Sequence, residues 1–271
     1  MAKVRIGITL SGGGARGIAH IGVLKALNDY GIYPDAISGT SMGALVGVMY
    51  ADGKAPEEIL EFIKDNKLSG FFRWNIPRAG FIDSSRLESV ISGNLKSRRF
   101  EELSTKFYVS ATNLNAGEYT IFSEGDLIKP VVASACIPVV FIPVEIDGDS
   151  FVDGGLLNNL PIEPLKETCD KIIGVHVNRN GRKDEVKRMR GIADRSFRIA
   201  IWENVKPRLK ECDFVIEPTG VYDYGVFDFD KADKLYHQGY LSTEKHILEF
   251  INNFNLDKIL ERRANSEKGG L

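Results

Sequence analysis

Ser41 is the centre of a pattern that is typical of nucleophilic serines. The residues Gly39-Thr40-Ser41-Met42-Gly43 form a G-x-S-x-G motif between a short apolar segment and a second helical segment. A serine at a sharp strand-to-helix turn exposes its hydroxyl, and the glycines let neighbouring backbone pass close without a Cβ clash. The amides at the start of the helix also favour negative charge beside the serine. The motif therefore predicts that Ser41 attacks a carbonyl carbon.

A glycine-rich loop lies upstream of this motif, directly after the predicted first strand. It contains Gly12, Gly13, Gly14 and Gly17, with Arg16 among them. Acyl transfer places negative charge on the carbonyl oxygen, and unobstructed backbone N–H groups stabilise that oxyanion best. Glycines at a strand end offer such donors, and Arg16 can hold the loop or add positive potential. The loop is therefore predicted to be an oxyanion hole for the serine.

The same loop also fits another class of site, the dinucleotide-binding loop. Gly12-x-Gly14-x-x-Gly17 after a first strand matches the fingerprint of nucleotide-dependent oxidoreductases. That fingerprint needs an acidic residue at the end of the second strand, about 20 residues further on. Asp35 has a suitable distance but precedes the second strand. A nucleotide-binding oxidoreductase stays open as an alternative, whereas a P-loop is excluded because no Lys-Ser/Thr pair follows the glycines.

A nucleophilic serine needs a base that takes its proton, and two solutions are available. Asp153 begins the segment Asp153-Gly154-Gly155, which taken alone is also a common turn sequence. Histidine is the usual base, and His237 is the histidine whose order along the chain fits a Ser-Asp-His triad. His176 is predicted to be a core or strand-end residue, and His20 to pack behind the glycine loop. A Ser-His-Asp esterase with His237 therefore stays open as a second alternative.

The three motifs together resemble those of the patatin-like phospholipase family, in particular its bacterial branch related to neuropathy target esterase. The segments Ser134-Ala135-Cys136-Ile137-Pro138 and Asn158-Asn159-Leu160-Pro161 extend the resemblance, which covers residues 3–178. The family uses a Ser-Asp dyad, so the resemblance implies Ser41 as the nucleophile and Asp153 as the general base. The resemblance further implies an oxyanion hole at Gly12, Gly13, Gly14 and Arg16. The supporting glycines of these motifs are Gly17, Gly39, Gly43, Gly154 and Gly155.

The resemblance also implies a substrate class and a reaction. The family hydrolyses acyl esters of phospholipids, lysophospholipids or neutral lipids, so a lipid acyl ester is the expected substrate. The expected intermediate is an acyl-enzyme on the serine. The dyad needs neither a metal nor a cofactor, and none is expected here.

The order of predicted elements is typical of an α/β fold. A strand over residues 4–10 and a helix over 18–30 are followed by a short strand, the serine turn and a helix over 44–50. Such alternation forms layered α/β domains, and the resemblance implies three α/β/α layers with a mainly parallel central sheet. Residues 178–195 predict a charged loop that leads into a helix, and residues 230–252 predict a pair of closing helices.

The chain shows no internal repeat or low-complexity linker. We predict a single domain over residues 1–261 of the 271 residues, with the core motifs in 3–178 and a frayed tail over 262–271. Two aromatic segments, residues 71–81 and 220–227, are expected either to meet lipid or to fill the edge of the core. No sequence feature indicates an oligomeric state.

Composition narrows the choice of partners and compartment. The formal net charge is −2 and no basic stripe is present, so nucleic acid is an unsuitable partner. The three cysteines are widely spaced, which disfavours disulfides and zinc sites and favours a reducing compartment. No apolar run approaches the roughly 18 residues that span a bilayer. We therefore predict a cytoplasmic protein whose contact with membranes is peripheral.

Overall fold

The computed structural model describes residues 4–65, 83–178 and 189–253, which form a mixed α/β sheet structure with helices on both sides. In these ranges the strands are β1 (Ile6–Leu10), β2 (Ala36–Gly39), β3 (Lys106–Asn113), β4 (Glu118–Phe122), β5 (Val144–Ile146), β6 (Asp149–Asp153), β7 (Lys171–Val175) and β8 (Phe214–Ile216). The helices are α1 (Ala19–Asp29), α2 (Met42–Ala51), α3 (Pro56–Lys64), α4 (Ser85–Ser92), α5 (Ile128–Ser134), α6 (Glu163–Thr168), α7 (Met189–Leu209) and α8 (Ala232–Asn253).

Hydrogen bonds connect the strands along the path β5-β6-β3-β2-β1-β7-β8, and β4 is also paired to β3. The central strands β3, β2, β1, β7 and β8 are parallel neighbours. The pairings of β4, β5 and β6 are antiparallel. All five residues of β1 are buried, as expected for a parallel strand covered on both faces. The predicted three-layer α/β fold with a mainly parallel sheet is therefore confirmed.

The second helix crosses the centre of the molecule rather than its surface. In α2 every residue except Tyr50 is buried, which explains why its sequence is apolar on all sides. Its first turn follows β2 without any linker beyond Thr40 and Ser41. The sequence-predicted turn between a strand and a helix is thus placed deep in the fold.

Some elements differ from the prediction. Residues 230–252 form a short 3-10 turn, Phe229–Lys231, followed by the single helix α8 rather than two helices. The helix α6 and the short strand β8 had no clear sequence signal, because each has six residues or fewer. The aromatic segment at residues 71–81 and the tail at 262–271 lie outside the described residues. The domain limits therefore stay predictions.

The strands β2 and β6 share one edge of β3 and run toward each other. β2 is parallel to β3 and ends with Gly39 opposite Val109. β6 is antiparallel to β3 and ends with Asp153 opposite Ala111. β4 covers the other edge of β3 over residues 109–113, so β2 and β6 must both lie on the remaining edge. Their carboxyl ends therefore meet head to head, which brings Asp153 beside the turn that follows β2.

Candidate active site

Ser41 occupies a strained turn between β2 and α2. Its backbone has φ 54° and ψ −124°, and a left-handed φ is uncommon for residues other than glycine and concentrates at functional sites. The Ser41 amide donates to Ser134 Oγ at 2.9 Å. The Ser134 hydroxyl in turn donates to the Ser110 carbonyl oxygen at 2.6 Å. One serine of α5 therefore fixes the strained turn to the central strand β3.

Close backbone packing explains the two glycines of the serine motif. A Cβ on Gly43 would overlap the Leu10 carbonyl oxygen, and a Cβ on Gly39 would overlap the Gly43 backbone. The serine turn is thus pressed against the end of β1, where the glycine-rich loop begins. A Cβ on Gly12 would lie 3.0 Å from the Ser41 Cβ, so the loop and the serine are direct neighbours.

Asp153 lies at the end of β6 with its side chain buried beside Ser41. Its Oδ1 accepts the Gly155 amide hydrogen at 2.7 Å, and only 6% of the residue is exposed. Burial raises the pKa of the Asp153 carboxyl to about 6, against hydrogen bonds from the Gly155 amide and the Ser41 side chain that lower it. The structure therefore places the Ser41 side chain beside the Asp153 carboxyl, and burial makes the carboxylate a stronger base than in water.

The glycine-rich loop curls around the end of β1. The Gly12 amide donates to Asn159 Oδ1 at 3.1 Å, so this donor is already occupied. Among the described residues, the amides of Gly13 and Gly14 donate to no other group of the chain. Gly14 has φ 57°, and a Cβ there would overlap the Val226 carbonyl oxygen. The loop thus leaves two neighbouring amides available next to Ser41.

A cavity of about 520 Å³ opens in front of these groups. Ser41, Asp153, Arg16 and the three loop glycines line one part of it. The remaining wall is mostly apolar and comes from residues 137–140, from α7 and from the loop that ends near residue 227. A site of this size with apolar walls and a few polar groups is typical of small-molecule pockets.

Arg16 lies at the cavity wall, whereas the supporting glycines lie where the backbone is tightly packed. Arg16 is buried, with 3% exposed, and lines the cavity. A Cβ on Gly17 would meet the Met42 side chain, and a Cβ on Gly154 would overlap the Ser110 carbonyl oxygen. Gly155 donates the amide hydrogen that holds Asp153. The predicted nucleophile, base and oxyanion-hole residues thus line one cavity, and the supporting glycines allow the close backbone packing or hold Asp153 beside it.

A family model described as patatin-like phospholipase matches residues 8–166, which is more than half of the chain. The chain belongs to the patatin-like phospholipase family. The resemblance inferred from the three motifs is therefore confirmed.

Curated relatives come from the same family. The chain is 34% identical over 178 residues to an uncharacterised NTE family protein of Mycobacterium tuberculosis strain H37Rv, covering 64% of this chain and 49% of that protein. It is 32% identical over 179 residues to the lysophospholipase NTE1 of Candida glabrata, covering 64% of this chain and 10% of that protein. The chain thus matches about half of the mycobacterial protein and a tenth of the fungal one.

A solved structure supports the fold. VipD from Legionella pneumophila superimposes with a TM-score of 0.52 at 14% identity, over 90% of this chain and 67% of that chain. The patatin fold is therefore shared, and nothing about substrates follows from this likeness.

The acidic residue of the dinucleotide alternative lies at the wrong end of the sheet. Asp35 Oδ2 accepts the Ile6 amide hydrogen at 2.9 Å, at the amino ends of β1 and β2. The glycine-rich loop follows the carboxyl end of β1. A nucleotide whose ribose is bound by Asp35 could therefore not place its phosphates at the loop. The structure disfavours the nucleotide-binding alternative.

The positions of the histidines do not fit the triad alternative, which requires His237 beside Ser41. His237 is exposed on α8 and does not line the cavity. His176 lines the cavity, and its Nδ1 lies 3.0 Å from Glu217 Oε1. His20 is buried, its Nε2 lies 2.7 Å from the Ser11 carbonyl oxygen, and burial lowers its pKa to about 4. Neutral His20 thus supports the glycine-rich loop from behind, while the histidine at the cavity wall is His176, which was predicted to be a core or strand-end residue and directly follows β7.

Asparagines that sequence reasoning did not assign a role hold the loop in place. Asn159 and Asn178 both contact the Gly12 peptide, and Asn178 Nδ2 donates to the Gly12 carbonyl oxygen at 2.5 Å. Asn204 of α7 accepts from the Asn159 amide at 3.0 Å and donates to the Gly155 carbonyl oxygen at 3.1 Å. A single helix residue thus connects the loop side to the Asp153 side, and no local sequence signal marks it.

Other sequence predictions concern metals, thiols and membranes. In the described ranges, no group of three His, Cys, Asp or Glu side chains is placed to hold a metal ion. Cys136, Cys169 and Cys212 are free thiols, and burial raises the pKa of Cys136 to about 12. Of the helices in the described part of the chain, none is both long and apolar enough to cross a bilayer.

Proposed function

We propose that this chain hydrolyses acyl esters of lipids through an acyl-enzyme intermediate on Ser41. The observation that carries the proposal is the buried carboxyl of Asp153, with a pKa raised to about 6, beside Ser41 at the wall of a mostly apolar cavity. The family and the printed name of the fungal relative, a lysophospholipase, support a lipid ester as the substrate.

The first half of the reaction forms the acyl-enzyme. Ser41 Oγ attacks the ester carbonyl carbon while the Asp153 carboxylate takes the hydroxyl proton. The negative charge that forms on the carbonyl oxygen is stabilised by the Gly13 and Gly14 amides, and each such donor contributes roughly 3–4 kcal/mol in known enzymes. Gly12 serves as the anchor of the loop, because Asn159 already binds its amide. The C–O bond to the alcohol then breaks, and the alcohol leaves with the proton held by Asp153.

The second half releases the fatty acid. A water molecule attacks the acyl carbon, and Asp153 takes one of its protons. When the bond to Ser41 Oγ breaks, Asp153 returns the proton to the serine. The pKa of about 6 suits both steps, because a general base works best when its pKa lies near the operating pH.

The rim of the cavity supports the proposed peripheral contact with lipid. Val139 is 86% exposed at φ 68° and Phe227 is 37% exposed, and both line the cavity. Ile142 nearby in the chain is 47% exposed. Exposed apolar side chains around an opening are typical of lipid-facing surfaces. Replacement of Val139 by Asp should reduce sedimentation with phospholipid vesicles, and unchanged binding would contradict this contact.

The direct test combines labelling with substitution. A fluorophosphonate probe should modify Ser41, as read by mass spectrometry of the intact protein and its peptides. Ser41→Ala should abolish both the labelling and the release of fatty acid from a panel of lipid esters. Ser89→Ala, on the exposed face of α4, is the matched control and should behave like the unmodified chain. Ester hydrolysis that persists in Ser41→Ala would overturn the proposal.

A further inference from the structure

A second carboxylate, which the proposed chemistry does not use, holds a histidine of the cavity wall. His176 Nδ1 lies 3.0 Å from Glu217 Oε1, and the Tyr222 hydroxyl reaches the same oxygen at 3.3 Å. The hydrogen bond to His176 lowers the pKa of the Glu217 carboxyl. Glu217 is therefore a charged acceptor, and the His176 ring gives it the hydrogen on Nδ1.

The other ring nitrogen of His176 faces the cavity. The residue is 1% exposed, lines the cavity and packs against Trp202 with ring centroids 5.8 Å apart. Among the described residues, none forms a hydrogen bond to His176 Nε2. This nitrogen at the wall of a mostly apolar cavity is therefore available to a polar group of a bound molecule.

The sheet order gives the position of this nitrogen relative to Ser41. Ser41 follows β2, the glycine-rich loop follows β1 and His176 follows β7, and these three strands are adjacent. Two strand spacings separate the two backbones by roughly 10 Å, and no hydrogen bond among the described residues joins His176 to Ser41. His176 is therefore not the base of the dyad. It lies at a distance that suits a substrate group a few bonds away from the reacting ester.

We infer that the His176–Glu217 pair is a binding subsite for a hydroxyl group in the alcohol part of the substrate. This inference rests on the proposed ester hydrolysis. A hydroxyl can donate to a neutral Nε2 and can accept from a protonated one, so it fits both forms of the ring. A phosphate or carboxylate fits only the protonated ring and is repelled by charged Glu217 otherwise. The subsite therefore favours esters whose alcohol carries a free hydroxyl near the ester bond.

The test compares two esters of the same medium-chain fatty acid, one with glycerol and one with 1-propanol, presented in the same detergent. The unmodified chain should prefer the glycerol ester. His176→Phe should lower the ratio of the two kcat/KM values about tenfold, equivalent to ~1.4 kcal/mol, mostly through the KM of the glycerol ester. His176→Gln keeps a polar side-chain end and should restore part of the preference.

Controls separate this inference from the proposed function. His237→Gln, the same kind of substitution on the exposed face of α8, should leave the ratio unchanged. If His176→Phe lowers both kcat/KM values in equal proportion, the role of His176 is structural and the subsite is wrong, while hydrolysis by Ser41 stands. An unmodified chain that shows no preference also contradicts the subsite. If the chain hydrolyses neither ester and Ser41 resists fluorophosphonate, the proposed function and the subsite both fail.

Discussion

One carboxylate lines the cavity and a second holds a histidine of the cavity wall, and their surroundings shift their pKa values in opposite directions. Asp153 is almost completely buried, and burial raises its pKa to about 6. Glu217 is exposed, and its hydrogen bond to His176 lowers its pKa. Pairs of titratable groups whose environments separate their pKa values often have different chemical roles. Asp153 is therefore suited to exchange protons, whereas Glu217 is suited to stay charged and to orient an imidazole ring.

The difference follows from what each carboxylate touches. Asp153 has two hydrogen-bond donors near it, the Gly155 amide and the Ser41 side chain, and these do not offset the loss of water. Glu217 keeps contact with solvent and accepts from His176 and Tyr222. The residue type alone does not decide the role. Desolvation and hydrogen bonding decide it.

The largest expected effect comes from replacing Asp153, the proposed base. Asp153→Asn keeps the shape and an acceptor for Gly155 but cannot take the Ser41 proton. We expect kcat for ester hydrolysis to fall roughly 10³- to 10⁴-fold, in the upper part of the range for general bases. The control is Asp147→Asn at an exposed turn with φ 52°, a backbone conformation that asparagine tolerates. A kcat for Asp153→Asn within tenfold of the unmodified chain would rule out this base.

The same substitution should stabilise the fold, so its effect on activity cannot be attributed to unfolding. The folded chain holds the proton of Asp153 up to pH about 6, whereas an unfolded chain releases it near pH 4. Stability is thus lost as pH rises between these values and stays lower above them. At pH 7 we expect Asp153→Asn to be more stable by about 3 kcal/mol, which thermal denaturation would detect as a Tm higher by several degrees.

The next largest effect is the expected fall in kcat/KM of the unmodified chain at low pH. Only the ionised form of Asp153 accepts a proton, so kcat/KM should be constant above pH about 6. Below that value it should fall about tenfold per pH unit, or roughly a hundredfold by pH 4. Measurements in overlapping buffers, with circular dichroism at each pH, would provide the profile. A flat profile down to pH 4 in a folded protein would contradict the raised pKa.

A smaller loss of kcat is expected when Asn159, which holds the glycine-rich loop, is replaced. Asn159→Ala removes the acceptor of the Gly12 amide and lets the Gly13 and Gly14 donors move. Because removal of a whole oxyanion donor lowers kcat about 10²- to 10³-fold, we expect a misplaced loop to lower it roughly thirtyfold with little change in KM. Asn252→Ala on the exposed face of α8 is the control. A change in KM alone would assign Asn159 to substrate binding instead.

The smallest effect concerns Glu217. Glu217→Gln keeps an oxygen for His176 Nδ1 but removes the charge that fixes the ring. We expect the preference for a glycerol ester over a propyl ester to fall roughly threefold, in line with the loss of part of one hydrogen bond. The pH midpoint should stay at that of Asp153. A shifted midpoint would mean that the two carboxylates are coupled and do not have separate roles.

Several parts of this molecule could be predicted from local sequence. Gly39, Ser41 and Gly43 define their turn because only glycine tolerates such close backbone contacts on both sides of it. The glycine run after β1 and the short acid motif at Asp153 are local in the same sense. Strand and helix periodicity likewise predicted the central α/β elements, because burial on both faces leaves continuous apolar runs.

Other parts depended on contacts between distant residues. The meeting of Asp153 with Ser41 follows from the shared edge of β3, since β2 and β6 approach it from opposite ends. The pairing of His176 with Glu217 follows from the adjacency of β7 and β8, and β8 is too short to leave a sequence signal. By itself the sequence determined which residues have the reactive groups. The tertiary structure alone decided which carboxylate loses its water and which keeps it, because desolvation depends on packing from all sides rather than on neighbours along the chain.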